Sequence, residues 1–179
     1  MKIVLVRHGQ TEDNFEGIMQ GTRNVMMNDA GRRQCKKLRE KLSDKEFDVC
    51  YMSPLVRCVE TAFILVGDKT EMIRDDRLIE RNLGELEGKD RSVYDIEKYW
   101  DYDLNSTDSG VESVRSIIDR CRDFLEYITS KYDKSSSILI VTHNACFRAL
   151  RLLIQKKELK GVLLDGKKID NCDFEELEI

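Results

Sequence analysis

Two short apolar runs constrain this chain more than any other feature. Residues 2–6 (KIVLV) and 137–142 (SILIVT) are continuous and rich in Ile and Val, and a histidine stands just past each: His8 after Arg7, and His143 directly after the second run. Uninterrupted apolar strands of this length belong in the middle of a sheet covered on both faces. Between them the pattern is mostly helical. Cys35, Leu38 and Leu42 share one face of a helix near 29–43, and Leu55, Val59, Ala62, Phe63 and Val66 do the same near 54–66. Ser53-Pro54 reads as the N-cap and first position of the latter. A third strand is expected at 47–51 (FDVCY), between the two helices. Val114, Ile117, Ile118, Cys121, Leu125 and Ile128 set the period of a long helix over 111–130, after a Ser109-Gly110 break. A further helix follows His143, with Cys146, Ala149, Leu150 and Leu153 on one face. The polar stretch 84–108 is expected to carry a short helix and loops that cover a site. Residues 167–179 should form one or two short strands, with Asn171 and Asp173 as turn residues.

Alternating strands and helices predict an α/β fold, a three-layer α/β/α sandwich whose mostly parallel central sheet is flanked by helices. The 179 residues, 41% of them hydrophobic, suit one domain over 1–179. Six cysteines lie far apart in sequence with no C-x-x-C pair, a pattern of reduced thiols that suits a cytoplasmic location. The opening run is too short for a signal peptide, and no stretch of about 18 apolar residues occurs, so no membrane span is expected. A net charge of −4 without a basic stripe argues against nucleic-acid binding. Any cationic site must be local.

The ends of central strands are where open α/β sheets bind ligands, and both histidines of the chain stand there. His143 also precedes an expected helix start, whose free N–H groups favour anions. Arg57 falls in the first turn of the 54–66 helix, where a cation opposes the macrodipole and an anionic ligand would relieve the conflict. A guanidinium grips two phosphate oxygens through its planar fork, so Arg7 and Arg57 together suit a phosphoryl group.

Arg7-His8-Gly9-Gln10-Thr11-Glu12-Asp13-Asn14 after an apolar strand resembles the R-H-G-x-T-x-x-N signature of the histidine phosphatase superfamily, the phosphoglycerate-mutase-like proteins. The resemblance continues through Ser53-Pro54-Leu55-x-Arg57-x-x-x-Thr61, Leu78-x-Glu80, Gly84-x-Leu86-Glu87-Gly88, Gly110-x-Glu112-Ser113, Val141-Thr142-His143 and Asn171-Cys172, in the family's order and over nearly the whole chain. It implies that His8 is the nucleophile, carrying the phosphoryl group as a phosphohistidine. Its attacking nitrogen must be neutral while the other is held by a hydrogen bond, a backbone carbonyl being a suitable acceptor. Arg7, Arg57 and His143 would surround the transferring group and offset its charge, His143 doing so best if protonated. Asn14 would add a neutral donor. Glu80 would protonate the leaving oxygen and then deprotonate the attacking water, the neighbouring phosphate disfavouring its carboxylate form; Glu12, Glu85 and Glu87 are nearby rivals. Gln20, Gly21 and the backbone of Asn144 would complete the phosphate and substrate contacts. The scheme needs no metal and no other cofactor.

Three departures stand out. Asn144 replaces the glycine that usually follows the second histidine, the loop 20–32 lacks the usual Pro-Leu-Thr, and Leu86 stands where many relatives have tryptophan. Glu80-Arg81-x-x-Gly84 is similar to the cofactor-dependent phosphoglycerate mutases, but their longer insertion with an adjacent arginine pair is absent between Glu80 and His143. The expectation is therefore a phosphatase, similar to the broad-specificity or alpha-ribazole phosphatases, acting on a small-molecule phosphomonoester such as a sugar phosphate, a glycerate phosphate or ribazole phosphate. A mutase, and a non-catalytic phosphate- or protein-binding module of the same fold, are the alternatives. Oligomeric state is left open by the sequence.

Overall fold

The computed structural model describes residues 1–164 and 167–179. Five strands form, β1 (Lys2–Arg7), β2 (Val49–Met52), β3 (Glu71–Arg74), β4 (Ser137–Thr142) and β5 (Phe174–Glu178), and they join one sheet in the order β3-β2-β4-β1-β5. The first four run parallel; β5 runs antiparallel to β1 at the edge. Six α-helices accompany them among the described residues: α1 (Glu12–Glu16), α2 (Asp29–Lys41), α3 (Val56–Val66), α4 (Ile96–Trp100), α5 (Val114–Lys131) and α6 (Asn144–Ile154).

Side chains alternate across a strand, and here each set finds a helical layer. Ile3, Leu5, Val49, Tyr51, Ile138 and Ile140 pack with Ile117, Phe124 and Ile128 of α5 and Phe147 and Leu150 of α6. Val4, Val6, Cys50, Met52, Leu139 and Val141 pack on the other face with Leu38 of α2 and Cys58, Ala62 and Leu65 of α3. Burial on both sides is why β1 and β4 lack a polar alternation. Three layers result, as the sequence predicts.

The differences are local. The helix expected from Ser53-Pro54 begins later, at Val56, with Leu55 in the extended cap position. Ser53 does not cap it: its Oγ accepts the Leu55 N–H at 3.3 Å and meets His143 Nε2 at 2.7 Å. The long helix starts at Val114, where the Ser113 side chain accepts the Ser116 N–H and caps it. Residues 47–51 become the strand Val49–Met52, and 167–179 yield the single strand β5 after a turn at 170–173. The edge strand β3 and the short helix α1 were not foreseen: β3 is four residues with exposed ends set among charges, and α1 is a single capped turn. No helix among the described residues is long and apolar enough to cross a membrane.

Candidate active site

Strand register brings the two histidines together. Arg7 of β1 lies opposite Thr142 of β4, so the residues that follow, His8 and His143, leave the sheet side by side. The His8 N–H donates to the Thr142 carbonyl at 2.9 Å, and the two rings meet edge to face with centroids 5.1 Å apart. Arg57, the second residue of α3, reaches both: its Nε–H is shared between His8 Nε2 at 3.3 Å and His143 Nδ1 at 3.1 Å. One turn on, Thr61 Oγ1 donates to the Arg57 carbonyl at 2.7 Å and accepts the Gly9 N–H at 3.1 Å, fixing the His8-Gly9 turn to α3.

These bonds assign the ring protons. A carbonyl only accepts, so the 2.8 Å contact between His8 Nδ1 and the Gly9 oxygen places the proton on Nδ1 and the lone pair on Nε2, facing Arg57. His143 Nδ1 accepts from Arg57, so its Nε2–H donates to Ser53 Oγ. Burial, then the positive charges of Arg57 and Arg7, push His8 well below the ordinary histidine range, with the Gly9 bond opposing. Burial and Arg57 do the same to His143. His143 is thus neutral here, whereas the charge-stabilising role inferred from sequence works best with a protonated ring; protonation there requires an anion to offset Arg57 and Arg7. Arg57 and Arg7 are themselves lowered by burial.

A cavity of about 590 Å³ opens beside this trio, and Arg7, Asn14, Glu80, Asn144, Ala145, Arg81, Arg148, Trp100 and Lys168 are among its walls. Arg7 donates through Nη1 to the Ile169 carbonyl at 2.6 Å, and its buried Nε has no hydrogen-bond acceptor among the described residues. Asn14 Oδ1 accepts from the Thr11 N–H and from Asn171 Nδ2, which turns its own amide N–H₂ away from those partners. Glu80 sits at the start of α6, where the Ala145 N–H donates to Oε1 at 3.1 Å and the Arg81 N–H donates to the same oxygen at 2.9 Å. The helix N-terminus expected to bind phosphate therefore already holds a carboxylate. The rival glutamates separate cleanly. Glu87 accepts from Thr22 and Leu83, Glu12 from Asn28, and Glu85 is exposed; none of them lines the cavity.

Arg7, Asn14, Glu80 and Asn144 thus meet in the cavity, while His8, Arg57 and His143, at most 3% exposed, lie outside its wall. Gln20 and Gly21 are not in the wall. Gln20 donates to Thr11 Oγ1, and the Gly21 carbonyl accepts from Arg57 Nη2 at 2.9 Å, as the Arg23 carbonyl does from Nη1 at 2.6 Å. Loop 20–24 is therefore held by Arg57, with Asn24 Oδ1 accepting the Val56 N–H at the start of α3.

Sequence reasoning missed the far side of the cavity. Arg81 and Arg148 each lie over the Trp100 ring, 5.4 Å from its centroid, bringing together two arginines that sequence separates widely. Arg148 was legible in part, since it stands one turn beyond Asn144 on α6. Trp100 was not, because α4 is too short to show a period. No group of three or more His, Cys, Asp or Glu side chains that could hold a metal occurs among the described residues.

The model of the histidine phosphatase superfamily, branch 1, matches residues 3–179. The chain belongs to that superfamily. Among curated relatives, Phosphoglycerate mutase-like protein 4 of Arabidopsis thaliana is 38% identical over 159 residues, covering 83% of this chain and 69% of that protein. The Metal-independent phosphoserine phosphatase of the same plant is 34% identical over 177 residues, covering 92% of this chain and 73% of its own length. The solved structure of YhfR from Bacillus stearothermophilus superposes with a TM-score of 0.86 at 25% identity, over 99% of this chain and 91% of that one. Membership makes this chain a histidine phosphatase.

Proposed function

We propose that this chain is a metal-independent phosphomonoester hydrolase working through a phosphohistidine on His8. The observation that carries the reading is the His8 ring itself, tied through Nδ1–H to the Gly9 carbonyl so that the Nε2 lone pair faces Arg57. In the first step that lone pair attacks phosphorus and the P–O ester bond breaks. The departing oxygen takes a proton from Glu80, the one glutamate in the cavity wall. In the second, water loses a proton to Glu80 and attacks phosphorus, and the P–N bond breaks to release inorganic phosphate.

Arg7, Arg57 and His143 offset the charge on the transferring oxygens, with Asn14 donating. Arg57 must exchange the Gly21 and Arg23 carbonyls for phosphate oxygens, so loop 20–24 shifts when substrate binds, and Gln20 and Gly21 act through that loop. Asn144, at the start of α6, lines the same cavity and faces the substrate. The free thiols suit a cytoplasmic enzyme.

Charge in the cavity points to the substrate class. Arg7, Arg81, Arg91 and Lys168 line the cavity, and one buried Arg81 nitrogen, Nη2, has no hydrogen-bond acceptor among the described residues. A buried guanidinium nitrogen in want of an acceptor, across the cavity from the phosphate-binding arginines, favours an ester carrying a further acid group. The phosphoserine phosphatase relative fits this preference by its name. A panel of phosphomonoesters assayed for released phosphate in the presence of a chelator tests the reading. Turnover by the wild type and none by His8→Ala is expected, with 3-phosphoglycerate or phosphoserine outrunning glycerol phosphate. Activity that vanished with chelator and returned with metal would overturn it, and a silent panel would turn attention to mutase chemistry.

A further inference from the structure

We propose that Cys35 and Cys172 are a redox-active pair, closing reversibly to a disulfide that ties α2 to the turn before β5 directly beneath the His8 strand end. Their sulfurs lie 3.3 Å apart although 137 positions separate them in sequence. Cys35 is fully buried; Cys172 is half-buried at a backbone φ of +61°, unusual for a residue with a side chain, on the turn that carries Asn171.

Both cysteines sit against the His8 strand end, Cys172 through its backbone and Cys35 through its sulfur. The Cys172 N–H donates to the carbonyls of Arg7 and His8 at 3.1 and 3.3 Å, and the neighbouring Asn171 side chain donates to the same His8 carbonyl at 3.1 Å. The Cys35 sulfur lies 3.7 Å from Thr61 Oγ1, the group that holds the Gly9 N–H, and a side chain added at Gly9 would collide with it. Neither sulfur has a part in phosphoryl transfer. A second pair is an internal contrast: Cys121 and Cys146 are 3.5 Å apart, but both are fully buried between α5 and α6, whereas Cys172 is partly exposed.

The oxidant is a small-molecule disulfide of the glutathione class. Cys172, the half-buried member of the pair, gives up its proton as its sulfur attacks one of the reagent's sulfurs, the reagent's S–S bond breaks, and one thiol leaves. Cys35 gives up its proton and attacks the Cys172 sulfur, expelling the second thiol. Two protein thiols are oxidised and one disulfide is reduced to two thiols. Closure from 3.3 Å to the bonded distance of about 2.05 Å moves α2 or the 171–173 turn by roughly 1 Å, and both bear on the His8-Gly9 turn. Misplacing a reacting group by that much costs on the order of tenfold or more in rate.

The test uses the full chain in glutathione redox buffers, with peptide mapping by mass spectrometry under non-reducing conditions and phosphatase assay in parallel. One disulfide joining Cys35 to Cys172 is expected, with Cys121 and Cys146 still reduced. Turnover should fall about tenfold or more and recover in dithiothreitol, while Cys172→Ser keeps its turnover in the oxidising buffer. Thiols that stay free, or carry only glutathione adducts, would overturn the pair. Quantitative cross-linking with unchanged turnover would overturn its hold on the site. The peptide map is read without any turnover, so it stands apart from the outcome of the phosphatase assay.

Discussion

Burying two neutral imidazoles makes the fold acid-sensitive to a calculable degree. His8 and His143 are pushed well below the usual histidine range, by burial first and by the neighbouring arginines second. In the unfolded chain both rings titrate near about 6.5. Below that pH the unfolded chain binds up to two protons that the folded chain does not, so stability falls as the pH drops. Their contribution is complete above the unfolded value and lost progressively beneath it. Lowering the pH from 7.5 to 5.5 should remove about 2.7 kcal/mol, close to 1.4 per ring. That is a large share of an ordinary domain's ~5–15 kcal/mol. The carboxylates Asp75, Asp90 and Asp108 are lowered from an already lower value and titrate beneath this window. Urea unfolding at pH 7.5, 6.5 and 5.5, at fixed ionic strength in phosphate-free buffer, reads the slope. His8→Asn and His143→Gln should each remove about half of it. A flat profile in the wild type, or a full slope surviving in the double variant, would refute the neutral pair.

Three further substitutions probe the site and its frame. Glu80→Gln should slow alkyl phosphates far more than p-nitrophenyl phosphate, because poor leaving groups need the proton most; equal slowing in steady-state assays would remove Glu80 from the acid role. Arg57→Lys loses the Nε–H shared by the two histidines and the fork that takes two oxygens, so kcat/KM should fall about a hundredfold or more. A change within a few-fold would contradict its placement. Gly31→Ala sets two effects against each other: alanine favours a helix interior by about 1 kcal/mol, but the new Cβ would press into the Gln10 backbone, which cannot yield as a flexible side chain would. The clash should win, with a lower melting temperature and slower turnover, and a stabilised variant would show that α2 can move aside.

Much of this was legible because the strands are buried on both faces. KIVLV and SILIVT had no solvent face to break their apolar runs, and the histidines beyond them needed only a parallel register to meet. The edge strand β3 escaped notice because its residues answer to local charges as much as to the sheet. Ser53 misled for a physical reason. A serine before proline is a good cap in isolation, and only the fold shows its hydroxyl taken by His143. His143 does stand beside His8 past the end of β4, but its neutral state depends on burial and on Arg57, neither of which spacing reveals. The Arg81–Trp100–Arg148 wall and the Cys35–Cys172 contact join elements far apart in sequence, and no local pattern marks such meetings.

The most direct test is to catch the phosphoenzyme. Wild-type protein mixed with a turned-over phosphomonoester in the presence of a chelator, quenched at alkaline pH where phosphohistidine survives, and mapped by mass spectrometry should show one phosphoryl group on the peptide containing His8 and none in His8→Ala. A phosphoryl group on another residue, or turnover without any trapped intermediate under single-turnover conditions, would contradict His8 as the nucleophile.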